Sequence, residues 1–287
     1  MPAAATHIEF GKDFLDAIPK RMRKQITDLP MFWMGTQGPD ILYFHHMSFL
    51  PGALHKYGNM LHEEKIHEQF DFLFDYCKQN PSLESYLTGY LCHYALDCKA
   101  HGLICSIAEY EKDAHGHSKG RTHIRMEAEI DAYVCNQKGR HKNKNIWKSI
   151  SLSTEDKLAL SKLYHELFKK VYNIPIKEHK FYTALTELIL WNPLIRPRYI
   201  GQTITFGFEF VVSPTRVPNM IMHGSSPKEI INIEEIHYPC FWDKNKTISK
   251  SFPELYSEAL ELSYVLFKEQ DSSYMHNTFM GNPIQNG

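Results

Sequence analysis

Read for the spacing of its apolar positions, the chain predicts helices along most of its length. Phe10, Phe14, Leu15 and Ile18 recur at helical intervals between Lys, Arg and Asp, so residues 7–28 are predicted as an amphipathic helix with His7 on its buried stripe. Residues 35–47, GTQGPDILYFHHM, interrupt the pattern with Pro39 and two glycines, and are predicted as a loop carrying Asp40. Helical spacing returns at 61–78, and the turn at 80–84 offers Ser82 as the N-cap of a third helix over 83–110, inside which Gly102 marks a potential break. A polar stretch at 111–122 is predicted as a surface loop, followed by a helix from His123 through Ala132. Another polar segment, 136–145, leads to Ser153 as the cap of a helix over 153–172.

Further on, residues 178–212 predict one or two helices, although TITFGFEFVV at 203–212 has strand-like composition. Residues 213–250 predict loops, 252–268 a final helix, and the last twenty residues a frayed end. With no internal repeat, the expectation is all-α: a single multi-helix domain over 1–287, its candidate ligands in 1–135 and a helical remainder in 136–287.

Composition narrows the class. At 43% hydrophobic and 13% aromatic, the chain can bury a large core, which argues against disorder. Lys and Arg total 32 against 33 Asp and Glu, so no bulk charge draws it to nucleic acid or to an anionic membrane. Its six cysteines form no CxxC pair and no compact framework, and read as reduced core residues. No basic region followed by an apolar run opens the chain, and no stretch has membrane-spanning length, so the expectation is a soluble, cytoplasmic protein.

Histidine changes the picture, because eleven of 17 lie in residues 1–127 and several recur at helical spacing beside carboxylates. His93, Asp97 and His101 stand at i, i+4 and i+8, which places three potential ligands on one helix face. His123 and Glu127 repeat the i, i+4 pattern, with Asp131 a turn further along. Imidazole nitrogen and carboxylate oxygen are ligand types that zinc accepts. The competing reading makes His93 and His101 ordinary core histidines and pairs Asp97 locally. Against it, Asp97 lies beside Leu91, Tyr94 and Leu96, where a carboxylate without a cation is expensive to bury.

These segments resemble the zinc-dependent phospholipase C family, and within it the bacterial cytoplasmic members without a secretion signal. The likeness is carried by Thr6-His7, Gln37-Gly38-Pro39-Asp40, Gly58 to His62, Gly89 to His101, and His123 to Asp131, with a looser likeness at Ser251-Phe-Pro-Glu-Leu255. It implies the all-α fold shared with S1/P1-type nucleases and a cluster of two or three zinc ions. By that resemblance Asp97 bridges two ions, His93 and Asp40 serve the first, His7 serves its partner, and His101, His123 and Glu127 hold the remaining one. A further first-ion histidine comes from His55, His62 or His67; His62, which directly precedes a long helix as the family pattern requires, is favoured and His55 is second. The even spacing of His93, Asp97 and His101 departs from the secreted enzymes, which have a longer gap before the last histidine.

The activity implied is hydrolysis of a phosphodiester, with a phospholipid headgroup as substrate and Asp40 orienting or deprotonating the attacking water. No GxSxG nucleophile motif competes. Two other readings stay open at this point: an S1/P1-like nuclease, for which only KGRHKNKNIWK at 138–148 supplies a basic run, and a metal-binding protein that keeps the ligands without catalysis. Tyr43, Phe44, Tyr57 and Tyr94 are candidates to line a cleft or simply to fill the core.

Overall fold

A computed structural model describes residues 4–48, 51–116, 118–137, 150–191 and 231–285. In chain order they form α1 (Ala4–Ala17), α2 (Lys20–Arg23), α3 (Leu29–Gly35), a 3-10 helix (Gly38–Ser48), α4 (His55–Glu63), α5 (Ile66–Gln79), α6 (Glu84–His115), α7 (Lys119–Gln137), α8 (Thr154–Val171), α9 (Glu178–Trp191), β1 (Tyr238–Cys240), β2 (Asp243–Ile248) and α10 (Phe252–Glu269). Among the described residues the protein is all-α apart from the small antiparallel β1–β2 hairpin. Among the described residues, no helix is long and apolar enough to cross a membrane.

Helix α6 is the spine. From Ser85 to Ala108 every residue except Lys99 is buried, so this helix is surrounded rather than laid against a single surface. On one side it joins Phe70, Tyr86, Tyr90, Leu163, Phe168 and Phe181 in a core shared with α5, α8 and α9. On the other, Phe10, Phe14, Leu103, Ile130, Val134 and Phe267 knit it to α1, α7 and α10. Its crossing with α3 is a backbone contact: a Cβ at Gly89 would stand 2.1 Å from the Phe32 carbonyl oxygen, and one at Gly35 would stand 2.1 Å from that of Tyr86. All six cysteines are free and buried.

The predicted elements hold with specific changes. The 7–28 helix stops at Ala17, because Pro19 cannot donate a helical hydrogen bond and disfavours helical backbone in the residue before it; α2 restarts at Lys20. The 61–78 helix is two helices, divided where Lys65 adopts φ +51°. Ser82 lies in a 3-10 turn and makes no cap bond to α6. Gly102 does not break α6, which continues through the expected 111–122 loop to His115 and ends at Gly116 in the left-handed region. The loop around Asp40 is a 3-10 helix. Ser153 with Asp156, and Ser251 with Glu254, form capping boxes for α8 and α10. The strand-like 203–212 segment and the basic run at 138–148 lie outside the described residues.

The expected frayed end is the largest correction. After α10 the chain returns across α4 and α6, burying Met275 and Phe279 completely. It is anchored by bonds from Phe279 N–H to the His62 carbonyl (3.1 Å) and from the Tyr94 hydroxyl to the Asn277 carbonyl (2.7 Å). In a free helix Gly89→Ala would stabilise by about 1 kcal/mol. Here it is expected to destabilise by roughly 1–3 kcal/mol by forcing α3 and α6 apart, read as a lower midpoint in thermal or urea unfolding; an unchanged or higher midpoint would contradict the crossing.

Candidate metal centre

Four elements and the 3-10 helix deliver the predicted side chains to one place. The one-turn repeat of α6 stacks His93, Asp97 and His101 along one face; α1 brings His7 from one side, α4 brings His62, the 3-10 helix brings Asp40, and α7 brings His123 and Glu127. Asp97 is the hub. Its Oδ1 lies 3.1 Å from His7 Nε2, and its Oδ2 lies 3.1 Å from His93 Nε2, 3.5 Å from His101 Nδ1 and 3.8 Å from His62 Nε2. Asp40 Oδ1 stands 3.3 Å from His62 Nε2. Across α6, one oxygen of Glu127 faces both His101 Nε2 (2.9 Å) and His123 Nε2 (3.0 Å).

Donor atoms converge in three sets within 4.8 Å: His7, Asp40 and His93; His62, His93 and Asp97; and His101, His123 and Glu127. Two ligands about 2.1 Å from a shared tetrahedral zinc stand roughly 3.4 Å apart, close to the separations found here. A cavity of about 10 Å³, room for one water-sized body, is lined by His7, Asp97, His101 and Glu127 among others. His55 lies outside these groups, packed against Tyr43, and His67 bonds the Met275 carbonyl. Of the four aromatics proposed for a cleft, Tyr43 stacks on His62, while Phe44, Tyr57 and Tyr94 pack into the core.

Backbone carbonyls orient the rings. Nδ1 of His62 bonds the Gly58 oxygen (2.8 Å), that of His93 the Thr36 oxygen (3.1 Å), and that of His101 the Phe279 oxygen (3.0 Å). A carbonyl only accepts, so each Nδ1 carries a proton, and each Nε2 is left facing the carboxylates, to give them a proton in the metal-free protein or a lone pair to a cation. Lone pair facing lone pair repels unless a proton or a cation intervenes. His93 Nε2 and His7 Nδ1 are buried nitrogens with no hydrogen-bond partner among the described residues. The donor set therefore fits zinc.

Charge around the centre follows from burial. Desolvation pushes the Asp97 carboxyl up, but the imidazoles of His101, His93 and His7 hold it well below the usual carboxylate range. Glu127 behaves alike: burial opposes its charge, while nearby positive charge and the hydrogen bonds from His123 and His101 hold it well below the usual carboxylate range. Burial likewise resists protonation of His101, yet Asp97 and Glu127 raise it to about 9. His7 is lowered, because burial and the neighbouring His93 outweigh Asp97. The side chains of Asp40 and His123, at 14% and 20% exposure, are the open members of the group.

A sequence profile described as zinc dependent phospholipase C matches residues 6–182, which span every one of these side chains. The chain belongs to the zinc dependent phospholipase C family. No curated protein and no solved structure matches it. Membership places it among zinc-dependent, all-α hydrolases of the phospholipase C type.

Other residues of this phospholipase C family member support the centre in roles that the sequence alone did not show. Asp131 accepts from the Thr6 N–H (2.8 Å), the Thr6 hydroxyl (2.5 Å) and the Ala5 N–H (3.3 Å), so it caps α1 from another helix and fixes the residue beside His7. Its position one turn beyond Glu127 was visible; its partner was not. Gly38, at φ +51°, leaves room for His93, whose ring would come within 2.3 Å of any Cβ there. The Tyr164 hydroxyl donates to the Gly38 carbonyl (3.0 Å), bracing the 3-10 helix from α8.

In chelator-treated protein the raised His101 pKa has a definite sign. Its stabilisation is fully present below the ordinary imidazole value and is lost as pH rises through about 9. The expected loss between about pH 6 and about pH 10 is on the order of 3 kcal/mol. Urea unfolding of chelated wild type and His101→Gln checks it, and equal pH dependence in the two proteins would refute it.

Proposed function

We propose that this protein is a zinc-dependent phosphodiester hydrolase of the phospholipase C type. His7, Asp40, His62, His93, Asp97, His101, His123 and Glu127 hold two or three ions, with Asp97 shared between them. The observation that carries the reading is the convergence of these eight side chains into three adjoining donor sets along α6, within the span of the family match. When bound, zinc supplies a Lewis acid that lowers the pKa of water and offsets charge developing on phosphoryl oxygens. Asp40 is held ionised: burial opposes its charge, while the hydrogen bond from His62 and the charge of His93 hold its pKa below the usual range. Being also the most open carboxylate of the group, it orients the attacking water and accepts its proton. The hydrophobic walls beside the ligands keep bulk water away and strengthen each of these interactions. A phospholipid headgroup is the substrate class that the family membership favours.

The test is zinc content of the purified protein, followed by hydrolysis of a chromogenic phosphodiester and of phosphatidylcholine vesicles. Zinc-loaded wild type is expected to turn over both, chelation to abolish turnover, and Asp40→Asn to slow it by about 100-fold or more. Full activity in metal-free protein would sink the proposal. Stable zinc loading without hydrolysis of either substrate would leave a metal-binding protein that keeps the ligands and lacks the chemistry.

A further inference from the structure

The segment 275–281 lies nearly a hundred residues beyond the family match at 6–182, yet it bonds directly to the centre. The carbonyl of Phe279 accepts from His101 Nδ1 (3.0 Å), and its N–H donates to the His62 carbonyl (3.1 Å). Its ring packs 5.2 Å from the His62 ring and 5.9 Å from that of His93. The segment is closed on itself by Thr278 N–H to Asn282 O (2.9 Å) and Ile284 N–H to His276 O (3.0 Å). It is tied down through the Tyr94 hydroxyl and through His67 Nε2, which bonds the Met275 carbonyl (2.8 Å). At its end Gly281 presses onto α6 beside His101: a Cβ there would stand 2.6 Å from the Gly102 nitrogen, on a backbone already at φ +82°.

Beside the Phe279 carbonyl, His101 Nδ1 also faces Asp97 Oδ2 at 3.5 Å. Alone, that contact would draw on the carboxylate the rest of the centre shares, and it would leave the ring free to move its proton to either nitrogen. With the carbonyl in place, the proton stays on Nδ1 and Nε2 faces Glu127.

We propose that the segment 275–281 is a built-in strap of the metal centre, in which Phe279 is the positioning residue that holds His101 in the tautomer offering Nε2 to a cation shared with His123 and Glu127. This rests on the metal-binding reading above and adds to it a contribution from the far end of the chain. Removing the strap's hold weakens most the ion shared by His101, His123 and Glu127.

The experiment uses the full chain carrying Gly281→Val, which cannot keep the strap against Gly102. Displacement is checked by faster amide exchange over 271–285 with helical circular dichroism unchanged. Zinc is then titrated back into chelated protein, and cobalt is substituted to report ligand geometry. Wild type is expected to hold its full complement. The variant is expected to bind one ion about 10–100-fold more weakly, with an altered cobalt spectrum. A purely structural strap would lower the unfolding midpoint and leave affinity and spectrum as in wild type, which would overturn the proposal. Should Gly281→Val fail to fold, Tyr94→Phe removes only the hydroxyl bond to Asn277; a several-fold loss of zinc retention supports the strap, and unchanged retention overturns it. Wild type that takes up no zinc would bring down the metal reading itself, an outcome distinct from failure of the strap alone.

Discussion

A carboxylate on a helix with no solvent-facing side is the constraint from which the rest of this structure follows. Asp97 occupies the middle of α6, flanked by residues that are themselves buried, and an isolated charge there would neutralise itself or unfold the helix. What permits it is the ring of imidazoles from α1, α4 and α6 within 3.8 Å of its two oxygens. Three of those rings have their Nδ1 protons committed to backbone carbonyls, so Nε2 alone is left to meet the carboxylates, with a proton or with a lone pair. Imidazoles held this way around a carboxylate are a donor set that fits a divalent cation.

Satisfying that constraint fixes the approach of the neighbouring elements. His93 reaches Asp97 only because Gly38 leaves its ring space, and Gly38 is held by the Tyr164 hydroxyl from α8. His7 arrives on a helix whose first N–H groups are capped by Asp131 of α7. The glycine pair Gly35 and Gly89 brings α3 against α6, which places the Thr36 carbonyl over His93. Apart from the Gly58 carbonyl, which shares α4 with His62, these contacts come from elements other than the ring's own, so the centre and the tertiary fold specify one another.

Helical periodicity made the central part of this readable in advance. His93, Asp97 and His101 share a face by arithmetic alone, as do His123 and Glu127, and a helix tolerates little freedom in where such side chains point. Asp40, His7 and His62 were reachable only through resemblance to a family, because each comes from a separate segment and no local rule states that the segments meet. The helix breaks were misread for a related reason. Lys65 at φ +51° carries no glycine signal, and Gly102 looks like a breaker but sits inside an intact helix. The C-terminal strap had no signal at all: His-Asn-Thr-Phe-Met-Gly-Asn-Pro lacks periodicity, and its order comes from bonds to α4 and α6 rather than from its own composition.

That last point bears on how such a centre is held. A metal site on helices is rigid along each helix but depends on the angles between them, and small rotations of α4 against α6 would separate His62 from Asp97. The strap bonds both helices through a single residue, Phe279, whose N–H holds α4 at His62 and whose carbonyl holds α6 at His101. A bond to backbone on one side and to a ligand ring on the other fixes helix separation and ring tautomer together. Side-chain packing alone leaves the tautomer open. The end of the chain, which by composition promised nothing, therefore supplies the constraint that the helical scaffold lacks.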